Sequence, residues 1–260
     1  MSAKAGGRYR DMNRLMRAEW YRVRHSSKLM KWLLVLCIIC VVLPLCVDVG
    51  VLQGSLAENL MAAQLNMTVF MGCFLSVFSA VIVGIAYMNK TAYYEVMAGN
   101  KIYQIVFSKV FVDAVLVNVS VFLFLGIYWT VIGVRNGIGE IDRLPLRFCL
   151  LFLVFFHICT TGILIITSVR QMLGAVLVYI RFAVAETAVM FLTQMLEEHI
   201  SEEMMARIAD WFTMLKLTKI LCSEYEITKH LIFAVIAGFL IESAFWFGIS
   251  YIGMKKQLYK

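Results

Sequence analysis

Charge is scarce in this sequence: 16% of its 260 residues are Asp, Glu, Lys or Arg, while 62% are hydrophobic. A soluble domain carries about 25% charge and about 45–50% apolar residues, so the soluble globular class is excluded first. Segments of about ten residues with alternating polarity, the mark of a membrane β-barrel, are lacking; the apolar runs are continuous. About thirty polar-rich residues precede the first apolar run and no A-x-A site follows it, so it is not expected to be a cleaved signal peptide. The seven cysteines, at 37, 40, 46, 73, 149, 159 and 222, form no secreted disulfide framework, because six lie within or at the edge of apolar runs. Cys37 and Cys40 spell C-x-x-C without a His or Cys pair nearby, and read as small hydrophobes rather than a metal or redox pair. No G-x-x-x-x-G-K-[ST] loop occurs, so no phosphate cradle, and no cofactor of its own, is expected.

What is present is apolar length, with a mean hydropathy of +0.82. Six runs are each long enough to cross a bilayer as a helix, near Trp32–Leu52, Leu65–Met88, Ala114–Val134, Phe148–Val169, Met172–Leu196 and Leu231–Met254. Only helices or closed barrels satisfy every backbone group in lipid. The expected fold is therefore all-α and polytopic, with an N-terminal segment 1–31 and a six-helix transmembrane domain 32–260.

The formal charge of +7 could suggest nucleic acid, but the positions of the cations point to a membrane surface. Nine of the 24 Lys and Arg precede the first run. Six alternating spans place sixteen cations on one side and seven on the other, with Arg181 inside the fifth span. That bias puts both termini in the cytoplasm.

Three segments are more than spans. In the N-terminal stretch, Met12, Leu15, Met16, Trp20 and Val23 share one helical face, while Arg10, Arg14, Arg17 and Arg24 project from the other, as in a helix lying in the headgroup plane against lipid or a cytosolic partner. The loop from Thr91 to Lys101 reads as a short helix stopped at Gly99-Asn100, followed by a rising helix through Ser108-Lys109. Tyr93, Tyr94, Glu95 and Lys101 belong to the surface it would project. In the external stretch 197–230, Ser201 can cap a helix whose apolar stripe is Met204, Ile208, Trp211, Phe212 and Leu215, lying on the outer leaflet or packed on the spans.

Ionisable residues at membrane depth usually face a bundle interior, and Arg181, Glu186 and Glu242 are the three here. Five residues turn an α-helix through about 140°, so Arg181 and Glu186 are not expected to face each other. Glu242 lies at the depth of Arg181 by residue count, so an interhelical Arg181–Glu242 pair is expected, either structural or lining a substrate pathway. Asp48 and Asp113 sit near span ends, where water is expected to be within reach. Glu202-Glu203-Met204-Met205-Ala206-Arg207 matches the E-E-x-x-x-R of intramembrane CAAX-type proteases, but lies in an external loop with only His230 after it. His25, His157 and His199 show no ligand spacing and are expected to be satisfied or solvated.

Together, the basic amphipathic N-terminus, the six spans, the helical 91–101 loop and the helical segment before span six resemble the permease subunit of type-2 ABC exporters. The run from Tyr94 to Lys101, followed by Ser108-Lys109, is similar to the acidic helix, turn and S-K or G-K pair that lead into the third span of many bacterial members. The resemblance covers essentially the whole chain. It implies a non-enzymatic subunit of the bacterial cytoplasmic membrane that exports cargo (antimicrobial peptide, drug or lipid) with ATP and Mg held by a separate ATPase subunit. It implies also a second permease copy, in a homo- or heterodimer, and an ATPase coupling surface formed by Tyr93, Tyr94, Glu95, Lys101, Arg14 and Arg17. The rival class is a membrane protein that does not transport: an intramembrane enzyme, or a sensor or assembly partner.

Overall fold

The computed structural model describes residues 2–25, 31, 35, 38, 95–139, 143–169, 172–196, 201–221 and 225–258. The first two expected spans (Val35 and Ile38 apart), the Cys37/Cys40 pair, Asp48, Tyr93 and Tyr94 lie outside the described residues. Every regular element among the described residues is helical: α1 (Ser2–Arg24), α2 (Ile102–Asn136), α3 (Leu144–Ser168), α4 (Met172–Tyr179), a π-helical turn (Ile180–Val184), α5 (Ala185–Leu196), α6 (Glu202–Ala209), α7 (Thr213–Leu221) and α8 (Lys229–Leu258). Three helices are long and apolar enough to cross a membrane, over Ile102–Asn136, Leu144–Ser168 and Lys229–Lys256.

The centre is α3, which packs against α2, α4, α7 and α8. Of its apolar stretch 78% is buried, against 11% for α8, which therefore lies at the rim. Phe155, Ile158, Ile163 and Ile165 on α3 are fully buried, in one apolar core with Val117, Val121, Phe124 and Leu125 of α2. Between helices in lipid, such packing is held by van der Waals fit more than by the hydrophobic effect. Where α3 and α8 come closest, a Cβ on Gly253 would overlap the Ser168 carbonyl, so only glycine allows the approach.

Side-chain contacts fix the helix directions. Asn118 Nδ2 donates to the Phe152 carbonyl at 3.3 Å and Trp129 packs edge-on against Phe148, so α2 and α3 run antiparallel. His157 meets Glu242 at 3.0 Å and Thr167 meets Ser250 at 2.7 Å, so α3 and α8 run parallel. A chain that leaves α3 at one end of the bundle and enters α8 at the other must return between them. The helical run 172–196 makes that return. Its interruption by the π turn is the difference from the single continuous helix expected there.

Candidate functional site

The deep charges gather on the returning run. Arg181 lies on the π turn, where the backbone N–H of Ala185 bonds the carbonyl of Ile180, five residues back. Its Nε donates to Glu242 Oε1 at 2.7 Å and its Nη2 to Oε2 at 2.9 Å, a bidentate clamp between the run and α8. Its Nη1 donates to Glu186 Oε1 at 2.8 Å. The expectation that Arg181 and Glu186 face apart is corrected by the π turn: five residues close one i→i+5 ring and return to nearly the same face.

Glu186, 2% exposed, also accepts the backbone N–H of Thr213 at 3.1 Å. That N–H opens α7, so the carboxylate sits where the helix dipole favours negative charge. On the other side, His157 of α3 lies 3.0 Å from Glu242 Oε2. An ionised carboxylate only accepts, so the imidazole Nε2–H donates. Lys216, one turn beyond Thr213, is 1% exposed and rests on α8, where a Cβ on Gly238 would lie 3.3 Å from Nζ. Burial pushes its ammonium below the usual lysine range, opposed by the charges of Glu186 and Glu242. Arg181 and Lys216 thus balance Glu186 and Glu242, and the cluster joins α3, the returning run, α7 and α8.

The segment before α8 is two helices where one was expected, because the chain turns at Asp210–Phe212. The packing face is accordingly not the Met204–Leu215 stripe. Thr213, Lys216, Leu217 and Ile220 are buried against the bundle, while Met204 and Trp211 are exposed. Ser201 makes no side-chain cap bond. Asp210, 4% exposed, fastens the turn by accepting from Lys219 Nζ at 2.6 Å and pairing with His230 Nδ1 at 2.7 Å. Arg147 of α3 donates to the carbonyls of Ile220 at 2.8 Å and Tyr225 at 3.0 Å, capping the end of α7. Within the E-E-x-x-x-R motif, Glu203 and Arg207 form an exposed i,i+4 pair at 2.6 Å. No group of three metal-ligating side chains occurs among the described residues.

A second polar cluster lies at the opposite end of the bundle, where α1 packs on α2. Glu95–Met97 make a helical turn that ends at Gly99, whose φ of +87° is the left-handed conformation that favours glycine. Asn100 N–H bonds the Glu95 carbonyl at 3.2 Å and Gly99 N–H bonds that of Val96 at 2.9 Å, a Schellman closure. Asn100 Nδ2 adds a bond to the Glu95 carbonyl at 3.0 Å, and Gln104 Oε1 accepts the Lys101 N–H at 3.2 Å. Lys109 reaches back to Glu95 at 3.2 Å, fixing the turn to α2. Burial holds the Glu95 carboxyl above the usual range, and Lys109 opposes that rise.

On α1, Arg14 and Arg17 are exposed, as is Lys101 beyond the turn. On the same helix Glu19 is 3% exposed and bonded to Arg22 Nε at 2.9 Å, and Trp20 is 50% exposed. Asp113 was expected within reach of water and is instead fully buried, with neither carboxylate oxygen hydrogen-bonded. It stands three turns inside α2, which begins at Ile102, in the field of Glu19 and Arg22.

The structure therefore brings Arg181, Glu186 and Glu242 together and adds His157 and Lys216. His157 could have been found by the depth count that paired Arg181 with Glu242; Lys216 had no signal, since a lysine on a short amphipathic helix reads as solvated. No protein family, curated protein or solved structure matches the chain, so its role rests on this geometry.

Proposed function

We propose that this chain is the permease subunit of a bacterial type-2 ABC exporter in the cytoplasmic membrane. It has six spans, both termini inside, and α1 at the headgroup layer. Cargo passes between two permease copies, driven by ATP and Mg on a separate ATPase.

The observation that carries the reading is the union of the Gly99 turn with α2. One uninterrupted helix of 35 residues, about 52 Å at 1.5 Å per residue, starts at that turn and exceeds the ~30 Å hydrocarbon core. A push on the turn is carried along a rigid rod into the bundle instead of being absorbed by a loose loop. Met97, 70% exposed at the tip, adds an apolar anchor beside Lys101. The same end carries Arg22 and Arg24 of α1 and Lys255 and Lys256 of α8, a cationic rim that fits the cytoplasmic side.

The test is affinity capture of the tagged chain from native membranes. An ATPase subunit should co-purify, and Met97→Asp with Lys101→Glu should release it while membrane insertion is unchanged. Capture of no nucleotide-hydrolysing partner would favour a membrane protein that does not transport.

A further inference from the structure

At the end of the bundle away from the Gly99 turn, residues of α2 and α3 line a groove of about 410 Å³. Phe122, Trp129, Phe148 and Leu151 wall it, and Ile220 and Leu221 of α7 close its end. Gly126, Thr130 and Gly133 form a shallow stripe along α2, and beyond Gly126 there is open space. Thr130 spends its hydroxyl on the Gly126 carbonyl at 2.6 Å, so it offers the groove no donor. Val134, 84% exposed, and Ile138, 62% exposed, mark its open side.

We infer that this groove is a binding site for one acyl chain of an anionic phospholipid. Size agrees: a groove of about 410 Å³ with an apolar wall accommodates an extended acyl chain. Depth agrees. The stretch Phe122–Val134 rises about 18 Å along α2, close to the ~15 Å hydrocarbon thickness of one leaflet. Charge agrees too: Arg135 and Arg143 are exposed and directly adjoin in sequence the lining residues Val134 and Leu144, a cationic flank suited to a phosphate. Both arginines also make contacts within the chain, so the selection rests on their charge and not on an empty donor. The groove would hold the lipid in place between two helices that any conformational change must move.

The test uses brominated acyl chains, which quench nearby tryptophan. In a variant keeping only Trp129 (Trp20, Trp32, Trp211 and Trp246 replaced by Phe), vesicles of phosphatidylcholine containing brominated phosphatidylglycerol should quench Trp129 saturably, at a low lipid fraction. Gly126→Leu, which extends a side chain into open groove, should at least halve that quenching. Arg135→Gln with Arg143→Gln should remove the preference for the anionic lipid. Native mass spectrometry of the 260-residue chain with all tryptophans intact gives an independent reading: it should retain one more phospholipid than Gly126→Leu does. Quenching and lipid count indifferent to Gly126→Leu would overturn the chain site. Equal quenching by brominated phosphatidylcholine would overturn the anionic selection. Quenching that appears only after dilution to monomers would put a second copy in the groove and overturn the proposal.

Discussion

Arg181 Nη1 lies 2.8 Å from Glu186 Oε1, five residues further along the same chain, because a π turn brings two positions to one face that an α-helix would hold about 140° apart. The same guanidinium clamps Glu242 on α8, so one inserted residue's worth of backbone organises the whole deep cluster.

Glu186→Ala removes both the partner of Arg181 and the acceptor of the Thr213 N–H. The expected outcome is a hairpin over 201–221 that is cut faster by protease in detergent, with membrane insertion retained. Unchanged cleavage would show that Glu186 does not hold the hairpin.

Arg181→Gln should destabilise the folded chain by about 3–5 kcal/mol, because it leaves the buried Glu186 and the partly buried Glu242 without their shared cation. Arg181→Glu should be worse still. Pairing it with Glu242→Arg should recover only part of the loss, since Glu186 would then face a second acid. Thermal unfolding of the purified variants measures the order; equal damage from the single and double reversals would refute the clamp.

Lys216 carries a pH signature. Its folded pKa is lowered by burial, so the unfolded chain binds the extra proton between that lowered value and the ordinary 10.5. Stability should therefore rise with pH across that window, and Lys216→Met should remove the rise. A variant that keeps the same alkaline slope would assign it to another group.

Glu95 has the opposite sign. Its folded pKa is raised above 4.5, so the folded state binds more protons just above that pH, and stability should fall as pH climbs through the raised value. Glu95→Gln should flatten that fall. A profile identical to the parent's in melts from pH 4 to 7 would show that the carboxyl is not buried against α2.

Reporters fused after Lys260 and within 89–113 should read cytoplasmic, and those within 53–64 and 197–230 external, as the sixteen-to-seven cation bias requires. An external tail would overturn the six-span arrangement.

Much of this was legible in the chain. The helix from 102 onward, the stop at Gly99 and the depth match of Arg181 with Glu242 follow from periodicity, from glycine's access to positive φ and from the 1.5 Å rise per residue. Less legible were the positions where a side chain's partner comes from elsewhere. Asp113 looks like a span-end acid until α1 covers it, and Glu19 interrupts an apolar stripe until Arg22 pairs with it. Trp211 and Met204 belong to a stripe that the sequence left either on the outer leaflet or packed on the spans, and the turn at Asp210–Phe212 leaves both exposed.

By itself the sequence determined the medium and the class of element, because apolar length and scarce charge leave helices in a bilayer as the way to satisfy every backbone group. Only the tertiary structure decided which faces meet. The π turn re-aims Arg181 and Glu186 toward each other, and the packing of α7 brings the Thr213 N–H and Lys216 to the same cluster. Neither is written in local propensity. Both depend on the free energy of matching buried charges across helices far apart in sequence, a term that exists only once the helices are packed.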